Sequence, residues 1–235
     1  MKAKATMIHD HLHALGDRKV AESSLWFFKT GPGQYGEGDQ FIGIRAPQLR
    51  KLVREYRGVE IKDALSLLQS PFHEARALAL LILVSQFEKQ AEARRQIYRD
   101  YLAHTQFING WDLVDASAPH IVGAYLSDKD RKPLYKLARS RSLWERRIAI
   151  IATAHFIKQG DFADTLALSE MLLADREDLI HKASGWMLRE VGKRSLLLLE
   201  NFLREHCRVM PRTMLRYAIE KLPEVKRQRY LKGQV

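Results

Sequence analysis

From residue 46 onward, apolar and polar positions follow the period of an α-helix. In "APQLRKLVREY" the apolar Leu49, Leu52 and Val53 recur at i, i+3 and i+4, while Arg50, Lys51 and Arg54 turn elsewhere. Strand-like alternation is scarce, and glycine and proline gather at segment ends as helix punctuation. Five segments share one design: "HEARALALLILV" (73–84), "GWDLVDASAPHIV" (110–122), "WERRIAIIATAHFI" (144–157), "IHKASGWMLREV" (180–191) and "PRTMLRYAIEKL" (211–222). They begin roughly 31–37 residues apart, and each follows a shorter amphipathic helix. This predicts an all-α, HEAT-like helical-repeat solenoid, an ARM-like superhelix in which each repeat buries its apolar face on its neighbours. No linker interrupts the array, so residues 1–235 are expected to form one domain, more than half helical.

One stretch breaks the pattern. "FFKTGPGQYGEGDQFIGIR" (27–45) holds five glycines and a proline, which no helix tolerates. Tyr35 and "QFIGI" suit two short strands around "GEGD", a small β-hairpin or flap over about 29–45. The neighbouring Trp26, Phe27, Phe28 and Phe41 are expected to anchor its ends, Trp26 in particular.

Charge adds a partner class. The chain carries 39 Lys and Arg against 28 Asp and Glu, a net charge of +11, which favours a polyanion. Nucleic acid comes first and an anionic membrane surface second. Basic residues cluster where the second helix of each pair begins: Arg76, Arg146, Arg147, Lys182, Arg212 and Arg216. Stacked repeats would align them into a stripe. Cys207 is the single cysteine, which excludes an internal disulfide and fits a reducing compartment. No apolar run approaches a membrane span, and P-loop, zinc-finger and dinucleotide fingerprints are missing. A cytoplasmic, nucleoid-associated protein is expected.

The candidate chemistry lies in "NGWDLVDASAPH". Trp111 and Asp115 are one helical turn apart and project to one side. An indole in an apolar run fits a core, but a carboxylate is rarely buried without a partner, so the pair suggests a rim facing solvent or ligand. Later repeats add Arg146 and Arg147, then Trp186 beside Gly185, which leaves room for close approach. His9 and His13 have a chelating i, i+4 spacing but no third ligand in reach, and read as an exposed amphipathic helix. Cys207, Met210 and Met214 read as packing residues, and Trp144 as a support beneath Arg146 and Arg147.

"NGWDLVDASAPHIVG", "LWERRIAI" and "KASGWMLREVGK", with "FIGIRAPQLRKL" upstream, resemble the AlkD-type DNA alkylation-repair glycosylases over about residues 41–220. These are bacterial HEAT-like repeat proteins that excise cationic alkylpurines such as 3-methyladenine and 7-methylguanine. The resemblance implies a catalytic carboxylate at Asp115, paired tryptophans at Trp111 and Trp186, and a phosphate-binding arginine at Arg147, with Arg146 as the alternative. It implies double-stranded DNA as partner, no metal and no cofactor; a monomer is expected, since a solenoid of this kind needs no partner. Arg76, Lys182, Arg216, Lys29 and Tyr35 are the further expected DNA contacts. The Gly-rich 29–43 insertion departs from the family's compact pattern. It keeps open a non-catalytic binder of branched or damaged DNA and, from a different class, a protein-binding scaffold.

Overall fold

Several helices in this chain start where the sequence supplies an acceptor or a proline. The Asp17 carboxylate accepts from Lys19 N and Val20 N at 2.8 and 3.2 Å, and Ser142 and Ser195 hydroxyls cap two later helices. Pro47 and Pro133 sit in first turns, where a missing N–H costs nothing. The computed structural model describes residues 4–234; it is 69% helical, with no strand among the described residues.

The described chain divides into two compact units at Ser117/Ala118. The first contains α1 (Lys4–Ala14), α2 (Arg18–Phe27), α3 (Ala46–Glu55), α4 (Ile61–Leu68), α5 (His73–Lys89), α6 (Arg94–Ala103) and α7 (Trp111–Ala118) up to its last residue. The second contains α8 (Lys132–Ala138), α9 (Leu143–Ala152), α10 (Ala154–Lys158), α11 (Ala163–Met171), α12 (Asp178–Gly192), α13 (Leu196–His206), α14 (Arg212–Ala218) and α15 (Glu224–Leu231). A π-helical turn, Pro119–Gly123, follows α7, since Pro119 brings no N–H to the regular ladder.

Twelve of the 17 residues of α5 are buried, which makes it the central helix of the first unit, with α3 and α4 packed against it. In the second unit α12 plays that part, touching α9, α11, α13 and α14. The segments expected to be second helices at 144–157, 180–191 and 211–222 therefore do lie side by side, as α9, α12 and α14. Gly185 makes one of these contacts possible: a Cβ there would stand 2.4 Å from the Met214 carbonyl oxygen and 2.6 Å from Tyr217 Cβ. The close approach expected at Gly185 is thus to another helix. Cys207, Met210 and Met214 lie with Leu199, Phe202 and Leu203 in the apolar core beneath α13 and α14.

The expected hairpin does not form. Residues 29–40 instead make consecutive turns, with Gln34 N donating to Gly31 O, Glu37 N to Gln34 O and Asp39 N to Gly36 O, each at 3.1 Å. The "FIGI" segment is extended but pairs with a side chain in place of a strand. The buried Glu74 carboxylate accepts from Ile42 N (2.9 Å), Gly43 N (2.8 Å) and Ile44 N (3.1 Å). A single parallel bridge, Gln40 to Phe72, is the only ladder contact among the described residues of this loop. Gly43 has φ +94°, and a Cβ on it would lie 1.9 Å from Asp17 O, so this glycine lets the loop lie flat on the start of α2. The anchors also differ from expectation. Phe28 and Phe41 stack at 5.0 Å and both rings face His73, whereas Trp26 is 83% exposed.

Candidate active site

Helix α7 starts at Trp111, where Val114 N returns to Gly110 O at 3.1 Å. Leu113, Val114 and Ser117 face inward, and the half-buried Trp111 and Asp115 share the other side, one turn apart. Below them, the Tyr101 hydroxyl lies 2.9 Å from Ser117 Oγ, which itself donates to Leu113 O. Burial pushes the Tyr101 pKa up; the Ser117 hydrogen bond opposes this and the nearby Asp115 charge reinforces it. The floor under Asp115 is therefore a neutral phenol.

Trp111 is fixed by aromatic rings at the C-terminal end of α2. Phe28 stacks on it at 5.6 Å and Phe27 meets it edge-on at 5.9 Å. Its neighbour Asp112 enters a buried charge network. The His73 imidazole bridges Asp39 Oδ2 (2.7 Å from Nδ1) and Asp112 Oδ2 (2.8 Å from Nε2). Arg76 Nη2 donates to Asp39 Oδ1 at 2.7 Å. Burial alone would lower the His73 pKa, but hydrogen bonds and charge from Asp112 and Asp39 outweigh it and raise the pKa to about 9. His73 is thus an imidazolium at neutral pH, with both nitrogens donating. Asp39 also feels a burial cost, which His73 and Arg76 overcome to hold its carboxyl below the usual range. An apolar cleft of about 220 Å³ opens beside this network between α3, α5 and α7, lined by Leu49, Leu80 and Leu113 with Arg50 and Asp112 at its polar edges.

In the second unit, Trp186 is half-buried on α12 and its Nε1 donates to Glu190 Oε1 at 3.2 Å. Arg147 is buried, with Nη1 donating to Leu179 O at 2.6 Å. Arg146 makes a fork to Asp175 at 2.6 and 3.3 Å and also reaches the carbonyls of Ser140 and Arg141. Lys182 is half-exposed with Asp178 2.8 Å away, and Arg216 is exposed.

The first unit therefore brings Trp111 and Asp115 together, and the second holds Arg146, Arg147, Lys182, Trp186 and Arg216. Arg76 departs from its expected place on a phosphate-facing stripe. Only 4% exposed, it holds Asp39 and the carbonyls of Ser70 and Pro71. In the Gly-rich loop, Lys29 is exposed and Tyr35 half-buried. His73, Asp39 and Asp112 were not singled out from the sequence. A histidine opening an apolar helix gives no hint that two carboxylates distant in sequence converge on it.

The basic surplus is uneven: residues 118–235 carry 23 Lys and Arg against 14 Asp and Glu, so the second unit holds most of it. His9 and His13 pack on each other at 4.5 Å and on the Phe72 ring. Among the described residues no group of three or more His, Cys, Asp or Glu is placed to hold a metal ion, and no helix is long and apolar enough to cross a membrane.

Comparisons with known proteins bear on this arrangement. A family model described as DNA alkylation repair enzyme matches residues 8–222. A solved structure, a predicted DNA alkylation repair enzyme from Enterococcus faecalis, superposes with a TM-score of 0.68 at 17% identity, covering 89% of this chain and 97% of that one. No curated protein matches at a significant level. The likeness to the Enterococcus structure establishes a shared helical fold, and the family match spans nearly the whole chain: this protein belongs to the DNA alkylation repair enzyme family.

Proposed function

We propose that this protein is a monofunctional DNA glycosylase built on a HEAT-like solenoid, hydrolysing the N-glycosidic bond of cationic alkylpurines such as 3-methyladenine and 7-methylguanine in duplex DNA. The observation that carries this reading is the half-buried pair of Trp111 and Asp115 on one side of α7, in a chain of the DNA alkylation repair family. An alkylated purine already bears positive charge, so its departure needs no general acid. As the glycosidic bond lengthens, positive charge develops on the deoxyribose. The Asp115 carboxylate stabilises that charge and orients the water that attacks the sugar carbon. The Trp111 face attracts the cationic base, a contact of about 0.5–2 kcal/mol depending on desolvation.

The resemblance of "KASGWMLREVGK" and "LWERRIAI" assigns Trp186 the second stacking role and Arg147 the phosphate role, on the motifs alone. With Arg147 buried, exposed or half-exposed phosphate contacts fall to Lys182 and Arg216. The test is release of methylated bases from alkylated duplex DNA under single-turnover conditions. Free 7-methylguanine or 3-methyladenine supports the reading. DNA binding without release would favour a structure-specific binder, and no DNA binding at low salt would leave a protein scaffold.

A further inference from the structure

The last turn of α2 presents three consecutive large apolar residues to solvent: Leu25 (38% exposed), Trp26 (83%) and Phe27 (55%). Single exposed apolar residues are ordinary, but a contiguous run at a helix end marks a contact surface. No residue of α2 is fully buried, and Trp26 is the most exposed of its large apolar side chains.

The tip is nevertheless capped. Thr30 N donates to Leu25 O and Lys29 N to Trp26 O, both at 3.2 Å, which closes the helix in a Schellman motif. The left-handed residue of such a cap is usually glycine, yet here it is Lys29, at φ 53°. A strained position thus carries an exposed lysine three residues after the exposed indole. Behind them, Phe27 runs into the Trp111 ring and Phe28 stacks beneath it, which makes the tip continuous with the proposed reactive face. The first unit is close to electrically neutral, so this patch is suited to the flat, apolar faces of bases more than to phosphate charge.

We propose that Trp26, with Phe27 and Lys29, is a stacking wedge for an unpaired base in DNA, at a gap, a single-stranded end or a disrupted pair. The proposal rests on the DNA reading above and extends it to a substrate feature other than the alkylated base. The indole supplies the stacking face, Phe27 supports its inner edge, and Lys29 meets the phosphate beside the unpaired nucleotide.

The experiment titrates a fluorescently labelled 12-nucleotide dT strand, an intact duplex and the same duplex with a one-nucleotide gap, using wild type, Trp26→Ala, Trp26→Phe and Lys29→Gly. Trp26→Ala is expected to lose roughly 5- to 150-fold in affinity for the gapped and single-stranded probes, the range for one base–aromatic stack. Its affinity for intact duplex, and the salt dependence there, stay at wild-type values. Trp26→Phe restores most of the loss. Lys29→Gly relieves the left-handed strain, so its Tm matches or exceeds wild type while gapped-DNA affinity falls; a purely structural lysine would show no such fall. If wild type binds duplex and Trp26→Ala matches it on all three probes, the wedge is overturned and the glycosylase reading stands. If wild type binds no DNA at low salt, that reading falls and takes the wedge with it. A dimer that Trp26→Ala dissociates, with unchanged DNA affinities, would make the patch a self-association surface instead.

Discussion

Asp112, the residue that follows Trp111, receives His73 Nε2 at 2.8 Å, and the same imidazole reaches Asp39 through Nδ1 at 2.7 Å. One buried cation thereby ties the end of the Gly-rich loop and the start of α5 to the helix that carries Trp111 and Asp115. Asp112 supplies a charge the interior neutralises, while Asp115 lies on the face turned toward the proposed substrate.

Stability should track the titration of this imidazolium. Its folded pKa, about 9, lies above the unfolded value of 6.5, so its contribution is complete below pH 6.5 and disappears as pH rises through 9. The full effect is on the order of 3 kcal/mol. The depressed Asp39 acts in the opposite sense, stabilising above its unfolded value of 3.8 and losing this as pH falls. Urea midpoints should therefore decline between pH 6.5 and 9 in wild type. His73→Gln should be less stable at pH 6.5 and lack that decline; a parallel decline in both proteins would assign the pH dependence to other groups.

Glu74 should be among the most sensitive residues in the first unit. Its carboxylate serves three backbone amides at once, and Glu74→Gln would turn an NH2 toward at least one of them. Each buried amide left without an acceptor costs about 1–3 kcal/mol. Equilibrium unfolding should register a loss of that size, and hydrogen exchange should accelerate at Ile42, Gly43 and Ile44 while α12 stays protected.

The helices were legible in the sequence because apolar periodicity and caps are local signals. Leu49, Leu52 and Val53 predict one face of α3 without knowledge of what it packs against. The 29–45 loop was not, because strand propensity in "QFIGI" reports only that the backbone is extended. Its hydrogen-bond partner is Glu74, a side chain about thirty residues away. Trp111 and Asp115 were legible as a pair for the same local reason as the helices. Arg76 was misplaced because an arginine at a helix start reads alike on a surface stripe and in a buried pair with Asp39.

Gly185→Ala tests the contact between α12 and α14. The added methyl meets backbone at Met214 O, which cannot swing aside as a side-chain tip would. A cost of about 1–3 kcal/mol is expected from overpacking. Gly58→Ala is the control, since a Cβ there meets nothing within 4 Å, and its thermal unfolding should stay at or slightly above wild type.

Salt dependence separates surface cations from structural ones. Arg216 is exposed, and Lys182 is half-exposed with the Asp178 carboxylate 2.8 Å away, one helical turn before it. If each neutralises one phosphate, Arg216→Ala and Lys182→Ala should each reduce the slope of log affinity against log salt by about 0.9. Arg76→Ala should instead destabilise the first unit by about 1–3 kcal/mol, since it removes one of the cations on the buried Asp39 and leaves that carboxylate to share His73 with Asp112. At temperatures where it remains folded, its slope should equal that of wild type.

Asp115→Asn is the decisive substitution for the chemistry. It preserves the shape of the side chain, exchanges one oxygen for an NH2 and removes the charge proposed to face the developing oxocarbenium ion. Base release should fall by roughly 10²–10⁴, the range for a positioned acid or base. DNA affinity should hold or rise, because one negative charge near phosphates is gone. Trp111→Ala should slow release less, since an indole–cation contact contributes about 0.5–2 kcal/mol. Asp112→Asn provides the contrast: it weakens the His73 bridge and should lower stability without matching the rate loss at Asp115. If single-turnover release of 7-methylguanine is equal in wild type and Asp115→Asn, Asp115 is not the group that stabilises the sugar cation.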